Sequence, residues 1–147
     1  MIVYCDTSAL LKVVVEEADS ESVLRWLSDA DQAACSCIGL VEGYAALGRR
    51  RGEGHLTAEA AAAAVDLFRD TWRSIAVVDL DAESAASLAL THALRSLDAV
   101  HLAAALSLAE QLAPLPVALA TFDRRLAKAA SGAGLAVWPE GGGKPAG

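Results

Sequence analysis

Four acidic residues stand at unusual places in this sequence. Asp6 comes directly after the apolar run Ile2–Cys5 and is followed by Thr7, Ser8 and the helical stretch Ala9–Val15. Asp123 follows the run Val117–Ala120 in the segment Thr121-Phe-Asp-Arg-Arg-Leu126. Glu42 lies among Leu40, Val41, Tyr44, Ala45 and Leu47, and positions 38, 41, 42 and 45 share one helical face, which the pattern predicts to be buried. Asp98 opens Asp98-Ala-Val-His-Leu-Ala-Ala-Ala-Leu106 after the apolar Ala93, Leu94 and Leu97. Each acid alone has a plain reading, as a helix cap or a solvated side chain. Together they suggest a shared site, where like charges raise some pKa values unless a cation intervenes. An oxygen-rich set with no nitrogen or sulfur ligands suits a hard divalent ion, Mg²⁺ or Mn²⁺. The chemistry that follows is phosphoryl or phosphodiester hydrolysis, in which the ion neutralises phosphate charge and activates water.

Such acids need a frame that brings them together. Five short apolar runs read as strands: Ile2–Cys5, Ala33–Ser36, Ile75–Val78, Val117–Ala120 and Leu135–Trp138. None alternates with polar residues, which is the pattern of parallel strands covered on both faces. Helical stripes separate them, at Val23, Trp26, Leu27 and Ala30, at Ala61, Ala64, Val65, Phe68 and Trp72, and at Leu102, Ala105, Leu106 and Ala109. Strands alternating with helices predict an α/β fold with a mostly parallel sheet, whose ligands bind beyond the carboxyl ends of the strands. Asp6 and Asp123 would leave one edge of that sheet. Asp79 and Asp81 read as turn and cap residues. Asp66, Asp70, Glu59 and Glu110 read as solvated, and Glu16, Glu17, Asp19 and Glu21 as an exposed acidic turn.

The 147 residues predict one domain, over 1–140, with a loose tail at 141–147. Hydrophobic residues make up 54%, which excludes intrinsic disorder and suggests an apolar surface for a partner. The longest run without Asp, Glu, Lys or Arg is 12 residues, Gln111 to Phe122, too short to span a membrane. No secretory signal is expected. Cys5, Cys35 and Cys37 read as small buried thiols in a reducing cytoplasm, and the Cys35-x-Cys37 spacing does not suit zinc. The net charge of −7 excludes a duplex-coating protein, so nucleic-acid contact must be local. Candidate phosphate contacts are Arg49, Arg50 and Arg51 at one helix end, Arg95 near Asp98, and Arg124 and Arg125 beside Asp123, although the first three equally suit a helix C-terminus. His101, one helical turn after Asp98, reads as a packed or hydrogen-bonded histidine.

The ordered set Val3-Tyr-Cys-Asp-Thr-Ser-Ala-Leu-Leu-Lys12, Gly39-Leu-Val-Glu-Gly-Tyr44, Leu94-Arg-Ser-Leu-Asp-Ala-Val-His-Leu-Ala-Ala-Ala105 and Ala120-Thr-Phe-Asp-Arg-Arg-Leu126 resembles the PIN-domain ribonucleases, in particular the VapC-type toxins of toxin–antitoxin systems. The resemblance runs to about Trp138. It implies a three-layer α/β/α fold around a five-stranded, mostly parallel sheet. It also implies a Mg²⁺- or Mn²⁺-dependent endoribonuclease with metal-binding acids at Asp6, Glu42, Asp98 and Asp123 and hydroxyl positions at Ser8 and Thr121. On this reading Ser8 bonds a carboxylate or metal-bound water, and Thr121 orients Asp98 or Asp123. A VapB-like antitoxin partner, an RNA substrate and a homodimer follow from the same likeness. Gly43, directly after Glu42, departs from good helix sequence and suggests a bend or a close backbone approach. The alternatives are a phosphatase on a related fold, which usually carries a second acid where Ser8 stands, and a non-catalytic metal-binding regulator.

Overall fold

The computed structural model describes residues 1–140; the expected tail at 141–147 lies outside the described residues. The elements run β1 (Ile2–Cys5), α1 (Thr7–Val14), α2 (Ser20–Asp29), β2 (Gln32–Ser36), α3 (Ile38–Gly52), α4 (Ala58–Ser74), β3 (Ala76–Val78), α5 (Ala82–His92), α6 (Ser96–Leu112), β4 (Val117–Ala120), α7 (Arg124–Gly132) and β5 (Ala136–Trp138). All five apolar runs are strands, and they form one sheet in the order β3-β2-β1-β4-β5. Every pairing is parallel. The three-layer α/β/α arrangement expected from the sequence is therefore present, with a sheet that is parallel throughout.

The central strands are covered on both faces, which is why they do not alternate with polar residues, whereas Ala76 and Val77 of the edge strand β3 are exposed. Tyr4, Ala34 and Leu119 point to one face, where Ala85 of α5, Leu102 of α6 and Leu126 of α7 pack on them. Val3, Cys5, Cys35 and Ala120 point to the other, against Leu10 of α1, Leu47 of α3 and Phe68 of α4. Side-chain caps start several helices. Asp6, Thr57, Asp81 and Asp123 each accept a backbone N–H from the first turn that follows. Asp81 thus fills the capping role its position suggested. Asp66, Asp70, Glu59 and Glu110 are exposed, as expected of solvated acids. Glu17 departs from the exposed acidic turn: its carboxylate takes Lys12 at 3.3 Å and Arg50 at 3.3 Å.

The buried face of α3 also differs from the predicted one. It is Gly39, Gly43 and Leu47, whereas Val41 is 71% exposed and Glu42 sits at the margin. The reason is close packing. A Cβ at Gly43 would overlap the Phe68 ring, and one at Gly39 would overlap Cys35 Sγ. The glycines let α3 settle onto α4 and the sheet, a contact that the apolar periodicity does not reveal. This rotation turns Glu42 out of the core and toward the carboxyl end of the sheet.

The strand order places a switch point between β1 and β4, because the chain winds outward from β1 through β2 and β3, then restarts on the other side at β4. Crevices at such points, beyond the carboxyl ends of the strands, are the usual ligand sites of open α/β sheets. Cys5 pairs with Ala120 in register, so Asp6 and Thr121 are the first residues past that edge.

Candidate active site

Asp6 is the innermost acid, 5% exposed. Its Oδ1 accepts from Ser8 Oγ at 2.6 Å and from the Ala9 amide at 2.9 Å. Its Oδ2 accepts from Thr121 Oγ1 at 2.5 Å. A carboxylate has about four acceptor directions, so three donors leave roughly one for a ligand. Burial pushes the Asp6 carboxyl up, and the three donors pull back only part of that rise. Ser8 meets its expected role toward a carboxylate. Thr121 serves a different acid from the expected one: its hydroxyl goes to Asp6, while it accepts the Asp123 amide at 3.1 Å. The register explains this, since Thr121 leaves β4 directly beside Asp6 whereas the Asp123 side chain turns back to cap α7.

Asp123 Oδ1 takes the Arg125 and Leu126 amides, both at 2.9 Å, and so holds the α7 N-terminus. Its Oδ2 takes Arg95 Nη2 at 3.0 Å. The same guanidinium reaches Asp98 Oδ2 through Nε at 3.1 Å. Arg95 immediately precedes α6 and Asp98 lies in the first turn of that helix, so the two meet at i, i+3. Arg95 is thus a cation lying across two of the four acids, while its own side chain is 70% exposed.

Glu42 joins this edge through two contacts on one oxygen. Oε1 takes Thr7 Oγ1 at 3.0 Å and His101 Nε2 at 2.7 Å. Thr7 neighbours Asp6 in the chain, and His101 lies three residues after Asp98 on α6, so Glu42 is tied to both their elements. Burial pushes the Glu42 carboxyl up, but the hydrogen bonds from His101 and Thr7 hold it below the usual glutamate range. On the far side of His101, Nδ1 meets Tyr4 Oη at 2.8 Å, and Tyr4 Oη also accepts the Ser36 amide at 2.9 Å. Tyr4 is fully buried, and desolvation raises its phenol well above its ordinary range. His101 is the hydrogen-bonded histidine that the sequence suggested. The sequence does not single out Thr7 as a partner of Glu42 or Tyr4 as a partner of His101. Their signals were present, a hydroxyl in an otherwise apolar strand and one beside Asp6, but only the tertiary contacts give those hydroxyls a function.

Among the candidate phosphate contacts, Arg50 is tied to Glu17 and Arg95 to the acids, while Arg49 and Arg51 lie exposed at the C-terminal end of α3. Arg124 lines a cleft of about 550 Å³ against β5. Arg125, with His92 and Lys128, lines a second cleft of about 570 Å³ between the end of α5 and α7. Arg124, Arg125 and Lys128 have no carboxylate within ion-pair distance among the described residues, although the chain carries net charge −7.

The donor set toward the crevice is oxygen only, which suits a hard divalent cation. Glu42 Oε2 and Asp98 Oδ1 have no protein donor among the described residues. As the side chains stand, no three His, Cys, Asp or Glu groups among the described residues close around a common point, and Arg95 spans Asp98 and Asp123 instead. Cys5, Cys35 and Cys37 are free thiols; Cys5 and Cys35 are buried, which pushes both thiols up, and Cys37 is half-buried. No described helix is long and apolar enough to cross a membrane.

Comparison with known proteins places this geometry in a family. The PIN domain profile matches residues 3–132. Ribonuclease VapC45 of Mycobacterium tuberculosis (strain CDC 1551 / Oshkosh) is 35% identical over 141 residues, covering 94% of this chain and 95% of the relative. Ribonuclease VapC35 of the same strain is 36% identical over 138 residues, covering 92% and 95%. Among solved structures, PAE2754 from Pyrobaculum aerophilum superposes with a TM-score of 0.67 at 20% identity, over 93% of this chain and 83% of that one. VapBC2 from Rickettsia felis, solved bound to a promoter DNA fragment, gives 0.63 at 16% identity, over 93% and 97%. These two likenesses are of fold. The profile match and the two curated relatives together establish that this chain belongs to the PIN-domain family.

Proposed function

We propose that this chain is a Mg²⁺- or Mn²⁺-dependent endoribonuclease and the toxin of a VapBC-type toxin–antitoxin pair. The observation that carries this reading is a set of contacts at the carboxyl edge of the sheet: Arg95 bridges Asp98 and Asp123, Thr121 holds Asp6, and His101 ties Glu42 to the helix of Asp98, although no three of these acids close on one point among the described residues. Two of them already share a positive charge in the form of Arg95. Clustered carboxylates need such a charge to stay ionised together. The curated relatives, named as VapC ribonucleases, supply the reaction class.

On this reading Asp6, Glu42, Asp98 and Asp123 hold the cation, directly or through water. When bound, the ion neutralises phosphate charge and lowers the pKa of water. The chain's own residues do the rest. Ser8, Thr121 and the Ala9 amide fix Asp6 and keep it from turning. Arg95 must leave Asp98 and Asp123 for a cation to reach them, and its exposure leaves room to swing toward a substrate phosphate. Arg124 and Arg125 flank the same edge, with Arg49 and Arg51 as more distant phosphate contacts.

A VapB-like antitoxin fits the same edge. The Rickettsia felis neighbour was solved as VapBC2, and the acids here already accept a guanidinium, the group an antitoxin arginine would present. Exposed Val41, Leu90 (87%) and Leu115 support burial of apolar surface by an antitoxin or in a homodimer. A cytoplasmic setting suits the free thiols. Family membership leaves the phosphatase and regulator alternatives without support. The test is RNA incubated with Mg²⁺ or Mn²⁺ and wild-type or Asp98→Asn protein. Cleavage by the wild type alone is expected, and equal cleavage by both would discard the assignment.

A further inference from the structure

The contacts of His101 determine where its proton lies. The ring is 2% exposed, and each of its nitrogens has a protein partner. Nδ1 meets Tyr4 Oη, and Nε2 meets Glu42 Oε1. Tyr4 Oη accepts the Ser36 amide, so it has one proton of its own to place. The nearby Ser36 Oγ has no hydrogen-bond partner, which removes the other candidate acceptor. Tyr4 therefore donates to Nδ1, and Nδ1 is an acceptor. The ring's proton is left on Nε2, where it faces Glu42 Oε1 and, at 3.4 Å, Thr7 Oγ1. Thr7 donates its own proton to Glu42, so its oxygen is free to share the Nε2 proton. All these contacts agree on a single chain of donors, from the Ser36 amide through Tyr4 and His101 to Glu42.

We propose that His101 is the positioning residue for Glu42, with Tyr4 setting its tautomer, so that Nε2–H pins Oε1 and leaves Oε2 as the oxygen presented to the site. The proposal rests on the reading of Glu42 as a working acid of that site. It explains why a phenol sits in the middle of a buried strand and an imidazole in a helix face otherwise made of Ala99, Leu102, Ala103 and Ala105. It also couples two acids: the helix that presents Asp98 in its first turn fixes Glu42 from its second. Partners of this kind beyond the ligands themselves typically matter 10- to 100-fold in activity or metal affinity.

The test uses the full-length chain with Tyr4→Phe, which keeps the buried ring and removes only the hydroxyl, with His101→Leu and with His101→Gln, whose side-chain amide reaches the Nε2 position. Two-bond and three-bond ¹⁵N correlations of the metal-free protein report the tautomer, and the signal missing in His101→Gln assigns the ring among the three histidines. The expected results are a wild-type proton on Nε2 and loss of that signature in Tyr4→Phe. For RNA cleavage with Mn²⁺, Tyr4→Phe and His101→Leu are expected to lower kcat roughly 10- to 100-fold with KM little changed, and His101→Gln to recover most of it. A wild-type proton on Nδ1 overturns the proposal. So does Tyr4→Phe cleaving at the wild-type rate where Glu42→Gln is inactive. If the wild type cleaves no RNA, the ribonuclease reading fails on its own, and the tautomer measurement still decides the donor chain.

Discussion

Thr121 donates its hydroxyl proton to Asp6 across the β1/β4 junction at 2.5 Å, joining residues 115 positions apart in the chain. The bond pulls down a carboxyl that burial pushes up. Removing the donor without changing shape, as in Thr121→Val, leaves Asp6 short of a partner. A loss of about 1–3 kcal/mol in urea unfolding at neutral pH is expected. Thr121→Ser keeps the hydroxyl and should recover most of that loss; equal stability of the Val and wild-type proteins would mean that the bond contributes nothing.

Asp6 itself should be a cost to the metal-free fold. Its folded carboxyl titrates above the ordinary aspartate range, chiefly through burial. The folded form therefore keeps a proton that the unfolded chain gives up. By linkage its contribution is favourable below the ordinary range and is lost as pH rises through the folded value. Asp6→Asn removes that dependence. Calorimetry at pH 7 should show a melting temperature at or above wild type, with the difference shrinking toward about pH 4, while RNA cleavage disappears. A lower melting temperature at pH 7 would contradict the assignment of cost.

Arg95 makes the opposite case. Its pairs with Asp98 and Asp123 are exposed on the arginine side, so solvent screens them and they add little to stability. Arg95→Ala should leave the melting temperature nearly unchanged yet tighten Mn²⁺ binding in titration calorimetry, because a competing cation is gone. Weaker Mn²⁺ binding in the variant would show that Arg95 supports the site instead of occupying it.

The cations of α7 should carry part of the substrate's phosphate charge. Replacing Arg124, Arg125 and Lys128 with glutamine should raise KM for RNA and flatten the dependence of binding on salt, by about 0.7 in the logarithmic slope for each lost contact to a single strand. The slope is read from fluorescence anisotropy over a range of KCl concentrations. An unchanged slope would place the RNA path elsewhere.

Gly43 packs against the tip of the Phe68 ring, around Cζ, and Phe68 is 1% exposed. Gly43→Ala improves helix propensity by up to about 1 kcal/mol, but overpacking of this kind costs about 1–3 kcal/mol. Net destabilisation in urea unfolding is expected. The Gly43→Ala/Phe68→Leu double variant should recover part of it, and a more stable single variant would contradict the packing.

Apolar runs without alternation determined, from sequence alone, that the sheet is parallel and its central strands covered on both faces, and the acids just past two of them marked the candidate edge. Both signals are local: a strand's covering is written in its own residues, and a residue just past a strand sits at the carboxyl edge of the sheet whatever lies beside it. Gly43 hinted at close packing in the same local way. What only the tertiary structure decided is which groups answer one another. Thr121 serves Asp6 because β1 and β4 pair in register. The glycines of α3 rotate Glu42 away from the face its periodicity predicted. Tyr4 finds its role through a histidine 97 positions later. Hydrogen bonds act over about three ångströms, so their partners are fixed by packing between distant segments, which no local pattern of residue types encodes.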